Sequence, residues 1–142
     1  MFSLFPGESR NGKFNLKLLT PTLIKVRGNI SRSPSLKDIS LSIVRKAILF
    51  RAFYGDGVDD DLAAHYRNIA STVVETARKY HPATVSRYSA RQKREIPLRG
   101  VIGSIECEGD IGALEPLLRA GEYIGVGKNT AFGLGRIKLE TA

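Results

Sequence analysis

His65 and His81 are the only histidines in this chain of 142 residues. They are therefore its obvious candidates for general acid–base chemistry near neutral pH. His65 falls on the polar face of an expected helix, and His81 at that helix's end beside Tyr80. Neither sits in a recognisable catalytic spacing, and a plain surface histidine is the competing reading for each. Cys107 is the sole cysteine and can form no internal disulfide. It falls on the inward side of an expected strand and reads as core. No Cys/His cluster or carboxylate pair marks a metal site, and no metal or other cofactor is expected.

Two basic or glycine-rich stretches offer binding chemistry. Between Arg78 and Arg99 stand Arg78, Lys79, Arg87, Arg91, Lys93, Arg94 and Arg99, opposed only by Glu95. Guanidinium forks along a hairpin suit a phosphate backbone, and Tyr88 suits stacking on a base. A solvated edge strand, blunted by charge against aggregation, gives the same pattern. The second stretch is GEYIGVGKNTAFGLGRIKLE, residues 121–140. It holds Gly121, Gly125, Gly127, Gly133 and Gly135 around Lys128, Asn129 and Thr130. Free backbone N–H groups and Lys128 suit a phosphate backbone. A tightly turned loop with a purely structural role needs the same glycines.

The nucleotide-binding templates do not fit this stretch. A P-loop would need glycine at 122 and Ser or Thr at 129, where the chain has Glu122 and Asn129. The dinucleotide fingerprint fails at Thr130 and Lys138. Both motifs also follow a strand and open a helix, whereas this loop follows a helix and opens a strand.

Bulk properties point the same way. The chain carries 22 Lys+Arg against 14 Asp+Glu, a net charge of +8, and its pI is near 9.9. That excess makes a polyanion such as nucleic acid a natural partner. No apolar run is long enough to cross a membrane, so no membrane partner is expected. The N-terminus lacks the pattern of a secretory signal, and the expected location is the reducing cytoplasm.

The elements that must position these residues follow from periodicity. Phe14, Leu16 and Leu18 alternate with polar residues as in a half-buried strand, interrupted at Thr20-Pro21. An extended run resumes from Leu23 to Val26 and ends at Gly28-Asn29. Ser33-Pro34-Ser35 opens a helix, with Ser35 and Asp38 at capping-box spacing. Its apolar face is Leu36, Ile39, Ile43, Ala47 and Ile48, as far as about Tyr54, with a stop at Gly55-Asp56-Gly57. A second helix is expected after Asp59-Asp60, with a stripe of Leu62, Tyr66, Ile69, Val73, Ala77 and Tyr80, ending at His81-Pro82. Strands are expected over Thr84–Ala90 and Ile96–Glu108, joined as a hairpin. A short helix follows, capped by Asp110, with Leu114, Leu117 and Leu118 inward. Pro116 would push its start later, and Gly121 would be its C′ residue. Arg136–Glu140 is the last strand.

The order is β–α–(α)–β–β–α–β. The fold class is α+β: a ferredoxin-like βαββαβ plan with a four-stranded antiparallel sheet. An extra helix lies in the first crossover, and the glycine-rich loop precedes the last strand. Residues 1–12 form a lead-in and 13–142 a single domain.

This plan, with the hairpin from Tyr88 to Gly103, the helix end Leu117–Glu122 and the G-x-G-x(5)-G-x-G loop at Gly125–Gly135, resembles the repeat-associated (RAMP) superfamily of CRISPR proteins. Within it, the chain is similar to the C-terminal domain of the CRISPR repeat-processing endoribonucleases. The resemblance implies a CRISPR-associated role in antiviral defence. It implies binding of the repeat in precursor CRISPR RNA and metal-independent cleavage by attack of a 2′-hydroxyl, which leaves a 2′,3′-cyclic phosphate. It further implies a partner, either a second ferredoxin-like domain or other subunits of a CRISPR complex. The family's catalytic histidine usually lies in the other domain, and neither His65 nor His81 matches it. The RNA-contacting residues expected here are Arg87, Tyr88, Arg91, Lys93, Arg94, Arg99, Lys128, Asn129 and Thr130. Two other readings stay open: a non-catalytic RNA-binding or scaffold subunit, and a protein-interaction domain that never touches RNA.

Overall fold

The structure, a computed structural model, describes residues 5–53 and 60–141. The expected stop at Gly55-Asp56-Gly57 and the acid Asp59 lie outside the described residues. The elements are β1 (Asn11–Thr22), β2 (Lys25–Val26), β3 (Asn29–Ile30), α1 (Leu36–Phe53), α2 (Asp60–Thr72), β4 (Val74–Ser89), β5 (Arg94–Asp110), α3 (Ile111–Ile124), a 3-10 turn (Thr130–Phe132) and β6 (Ile137–Thr141). Four strands form one antiparallel sheet in the order β4-β5-β1-β6. This is the ferredoxin-like plan expected from the sequence, with a small β2–β3 hairpin added.

β1 shows its alternation in its burial. Phe14, Leu16 and Leu18 are buried with Val101, Ile105 and Cys107 of β5 and with Ile137 and Leu139 of β6. The helices cover that face with Leu36, Ile39, Ile43 and Ala47 from α1, Leu62 and Tyr66 from α2, and Leu114, Leu117 and Leu118 from α3. Pro21 does not end β1; the register against β5 shifts between Leu18 and Thr22, where the strand tolerates a proline. Arg27 and Gly28 both have positive φ, 52° and 85°. A two-residue hairpin turn of matching twist needs this. The capping box of α1 closes as its spacing predicts: Ser35 N donates to Asp38 Oδ2 and Asp38 N to Ser35 Oγ, each at 3.0 Å.

Three expectations are corrected. The helix over 59–80 stops at Thr72, and Val74–Ser89 is a long strand paired with β5 from Glu108 to Arg94. The stripe Val73, Ala77, Tyr80 fits a helix, but β-branched Val73, Val74 and Thr76 favour extension. Pairing along β5 then decides the matter. His81-Pro82 accordingly ends no helix. It lies inside β4, an edge strand, where a proline is tolerated.

In α3, Pro116 does not delay the start. Asp110 receives Ala113 N at 3.1 Å and begins the helix at Ile111. The lead-in chain lies against this first turn, with Gly7 N donating to Ala113 O at 3.3 Å. A Cβ on Gly7 would come within 2.4 Å of Gly112 O, the carbonyl that Pro116 cannot engage. Nor is Gly121 the C′ residue. It lies inside α3, where a Cβ would meet Ile43 Cδ1 at 2.6 Å, and Gly125 (φ 78°) caps the helix instead.

Candidate nucleic-acid interface

The basic hairpin is the outer half of β4–β5. Of its seven cations, two are engaged near the core. Arg78 forks onto Glu75 at 2.8 Å and donates to Ser33 O at 2.9 Å, while Lys79 pairs with Glu106 at 3.4 Å. Arg87, Arg91, Lys93, Arg94 and Arg99 have no carboxylate partner among the described residues. The free charge thus concentrates at the distal end. Arg91 and Lys93 sit in the turn, and Tyr88, 60% exposed, precedes it.

The glycine-rich stretch folds against the end of β1. Gly135 N donates to Pro21 O, Lys128 N to Leu23 O and Val126 N to Gly135 O, each at 2.9 Å. At Gly127 (φ 79°) a Cβ would lie 2.3 Å from Leu23 O. At Gly135 (φ 71°) it would lie 1.9 Å from Val126 O. These glycines therefore let the loop approach this chain's own backbone. A Cβ on Gly133 would meet nothing within 4 Å.

α1 holds the same loop from the other side. Ser42 Oγ accepts from Gly127 N at 3.0 Å. One turn later, Lys46 Nζ donates to Thr130 Oγ1 at 2.9 Å and to Ile124 O at 3.3 Å. Burial holds the Lys46 pKa below its ordinary value. The sequence carried a signal for this pair: two polar residues four apart, beside an apolar stripe.

Hairpin and loop meet at two places. Arg87 Cζ stands 4.7 Å from the centroid of the Phe132 ring, a cation–π contact between β4 and the 3-10 turn. Arg99, Lys128 and Asn129 line one cleft of about 660 Å³ together with Arg32, which sequence reasoning missed. Thr130 is turned inward onto Lys46. Tyr88, Arg91, Lys93 and Arg94 remain on the hairpin tip, where Arg94 Nε donates to Gln92 Oε1 at 3.0 Å.

The histidines are not brought into this group. His65 is exposed on α2, beside the buried Tyr66. His81 is exposed on β4. Its neighbour Tyr80 points to the helices and donates to Pro34 O at 2.8 Å, so alternation sends His81 to the opposite face. Neither imidazole has a hydrogen-bond partner among the described residues. No group of three or more His, Cys, Asp or Glu side chains placed to hold a metal ion occurs there either. Cys107 is buried, and desolvation pushes its thiol up to about 12, consistent with a core role. No helix among the described residues is long and apolar enough to cross a membrane.

The model of the CRISPR-associated endoribonuclease Cas6 family matches residues 16–137. The chain belongs to the Cas6 family. No curated protein matches it. Among solved structures, Cas6 of Thermus thermophilus is similar at a TM-score of 0.69 and 18% identity, over 94% of this chain and 55% of that one. The same Cas6 in a product complex gives 0.67 and 20%, over 94% and 53%. A partial Cas6-RT-Cas1–Cas2 complex gives 0.65 and 13%, over 94% and 23%. At these identities the likeness concerns the fold, and this Cas6-family chain spans about half the length of the first of these relatives.

Proposed function

We propose that this chain is the RNA-binding domain of a metal-independent endoribonuclease that processes precursor CRISPR RNA at its repeats in the cytoplasm. The observation that carries the reading is the meeting of two basic elements at one end of the sheet. Arg99 from β5 and Lys128 and Asn129 from the glycine-rich loop share one cleft. Arg87 ties the hairpin to that loop through Phe132. Five hairpin cations without acidic partners among the described residues suit a phosphate backbone.

In the reaction, the 2′-hydroxyl attacks the adjacent phosphorus, the bond to the 5′-oxygen breaks, and a 2′,3′-cyclic phosphate remains. One group must take the 2′-proton and another give a proton to the leaving 5′-oxygen. This chain's residues hold the repeat by its phosphates, and the general base comes from a partner domain. A non-catalytic RNA-binding subunit is the second reading, favoured by the isolation of His65 and His81. The names of solved relatives, a Cas6 product complex and a Cas6-RT-Cas1–Cas2 complex, support RNA and CRISPR subunits as partners here.

The test is binding and cleavage of a repeat RNA in EDTA across a salt series. Alanine at Arg87, Arg91, Lys93 and Arg94 together is expected to reduce the slope of log K against log salt by about 0.7–0.9 for each phosphate no longer neutralised. An unchanged slope would place the phosphate contacts on other residues, and no binding of the RNA at all points to the protein-interaction reading. Cleavage by this chain alone, abolished at His65 or His81, would place catalysis within it.

A further inference from the structure

Resting on that RNA-binding reading, the geometry points to a subsite within it: the cleft between the β2–β3 hairpin, the β4–β5 hairpin and the glycine-rich loop receives one unpaired, unstacked nucleotide of the bound RNA. Its volume, about 660 Å³, falls in the range of small-ligand sites. Its lining includes the apolar residues Leu23, Ile30, Pro82, Pro97, Leu98 and Val101. A flat heterocycle can lie on such a surface, and an unpaired base reaches it without the unstacking and unpairing cost that a paired base carries.

The polar groups complete the fit. Arg32, Arg99 and Lys128 all line the cleft, and no carboxylate does. None of the three has an acidic partner among the described residues. Asn129, also in the lining, carries an amide that both donates and accepts, as the edge of a base requires. Its backbone is fixed at φ 61°.

The cations are held in place from one point of the chain. Lys128 N donates to Leu23 O at 2.9 Å, and Ser31 N, next to Arg32, donates to Ile24 O at 2.8 Å. Two successive carbonyls thus anchor the segments that carry Lys128 and Arg32. The cleft is built before any ligand arrives, which lowers the ordering cost of binding.

The probe is an RNA hairpin with a single-stranded flank, carrying 2-aminopurine at each unpaired position in turn. A blunt duplex of the same length is the control. One position is expected to change fluorescence on binding. Thr84→Trp, a substitution at an exposed cleft residue, is expected to fill the space and abolish that response. Binding of the flanked RNA should weaken about tenfold, the worth of one stacked base, and by clearly more than binding of the blunt duplex. Arg32→Ala is expected to weaken the flanked RNA selectively as well. Binding of both RNAs with no responsive position, or a response that survives Thr84→Trp, overturns the subsite and leaves the RNA-binding reading standing. Failure of both RNAs to bind overturns both readings.

Discussion

Lys46 and Thr130, 84 positions apart, are joined by a hydrogen bond of 2.9 Å from Nζ to Oγ1. The same ammonium donates to Ile124 O, the last carbonyl of α3. One side chain of α1 therefore fixes both the end of α3 and the 3-10 turn that carries Phe132. Ser42, one turn earlier, fixes Gly127.

Lys46→Met keeps the length of the side chain and removes both bonds. The expected loss is about 1–2 kcal/mol, since hydrogen bonds from charged donors are offset here by relief of desolvation. The sign of the pH dependence follows from the lowered pKa. The folded protein gives up this proton before the unfolded chain does. Wild type therefore gains stability relative to Lys46→Met as pH rises towards 10.5, the ordinary value. Urea unfolding of both proteins at neutral and alkaline pH measures the gap. A gap that narrows with pH contradicts a charged Lys46 held in this half-buried place.

The glycines of the loop are not equivalent. Gly135→Ala forces a methyl group against Val126 O and disturbs the bond from Gly135 N to Pro21 O. Its expected cost is about 3 kcal/mol, from the left-handed backbone and the clash together. Gly133→Ala keeps a positive φ but enters open space, and about 1 kcal/mol is expected. Thermal or urea unfolding separates the two. Equal losses would mean that close backbone approach contributes nothing.

Asp110 predicts an acid-sensitive helix start. Its carboxylate accepts from Ser9 Oγ at 2.7 Å, Arg10 N at 2.9 Å and Ala113 N at 3.1 Å. The Ser9 hydroxyl foremost, with these backbone donors, holds its pKa below the ordinary 3.8. A lowered carboxylate pKa stabilises the fold above that ordinary value, and the contribution is lost as pH falls through the folded one. Asp110→Ala should cost about 1 kcal/mol at neutral pH, as the loss of an N-cap does. Its deficit against wild type should close in acid, as read from melting temperatures between pH 6 and 3. A constant deficit would show that the ionised carboxylate is not what the cap requires.

Local chemistry alone settled much of this protein. The alternation of Phe14, Leu16 and Leu18 defined β1. The spacing of Ser35 and Asp38 defined the start of α1. The short polar link from Arg91 to Glu95 marked the hairpin, and the glycines at 125–135 marked the loop. Each of these signals is complete within a few residues, because capping, alternation and turn formation depend on near neighbours.

What only the tertiary structure decided depends on distant partners. Val73, Ala77 and Tyr80 fit helical spacing, yet residues 74–89 are a strand because β5 supplies a full ladder for them. Arg78 and Lys79 counted as free cations until the fold set Glu75 and Glu106 beside them. Arg32 gained its place only when Leu23 and Ile24 drew its segment and Lys128 to the same edge. A periodicity records which side of an element is apolar; which strand, carboxylate or carbonyl meets it is fixed by the packing of the whole chain.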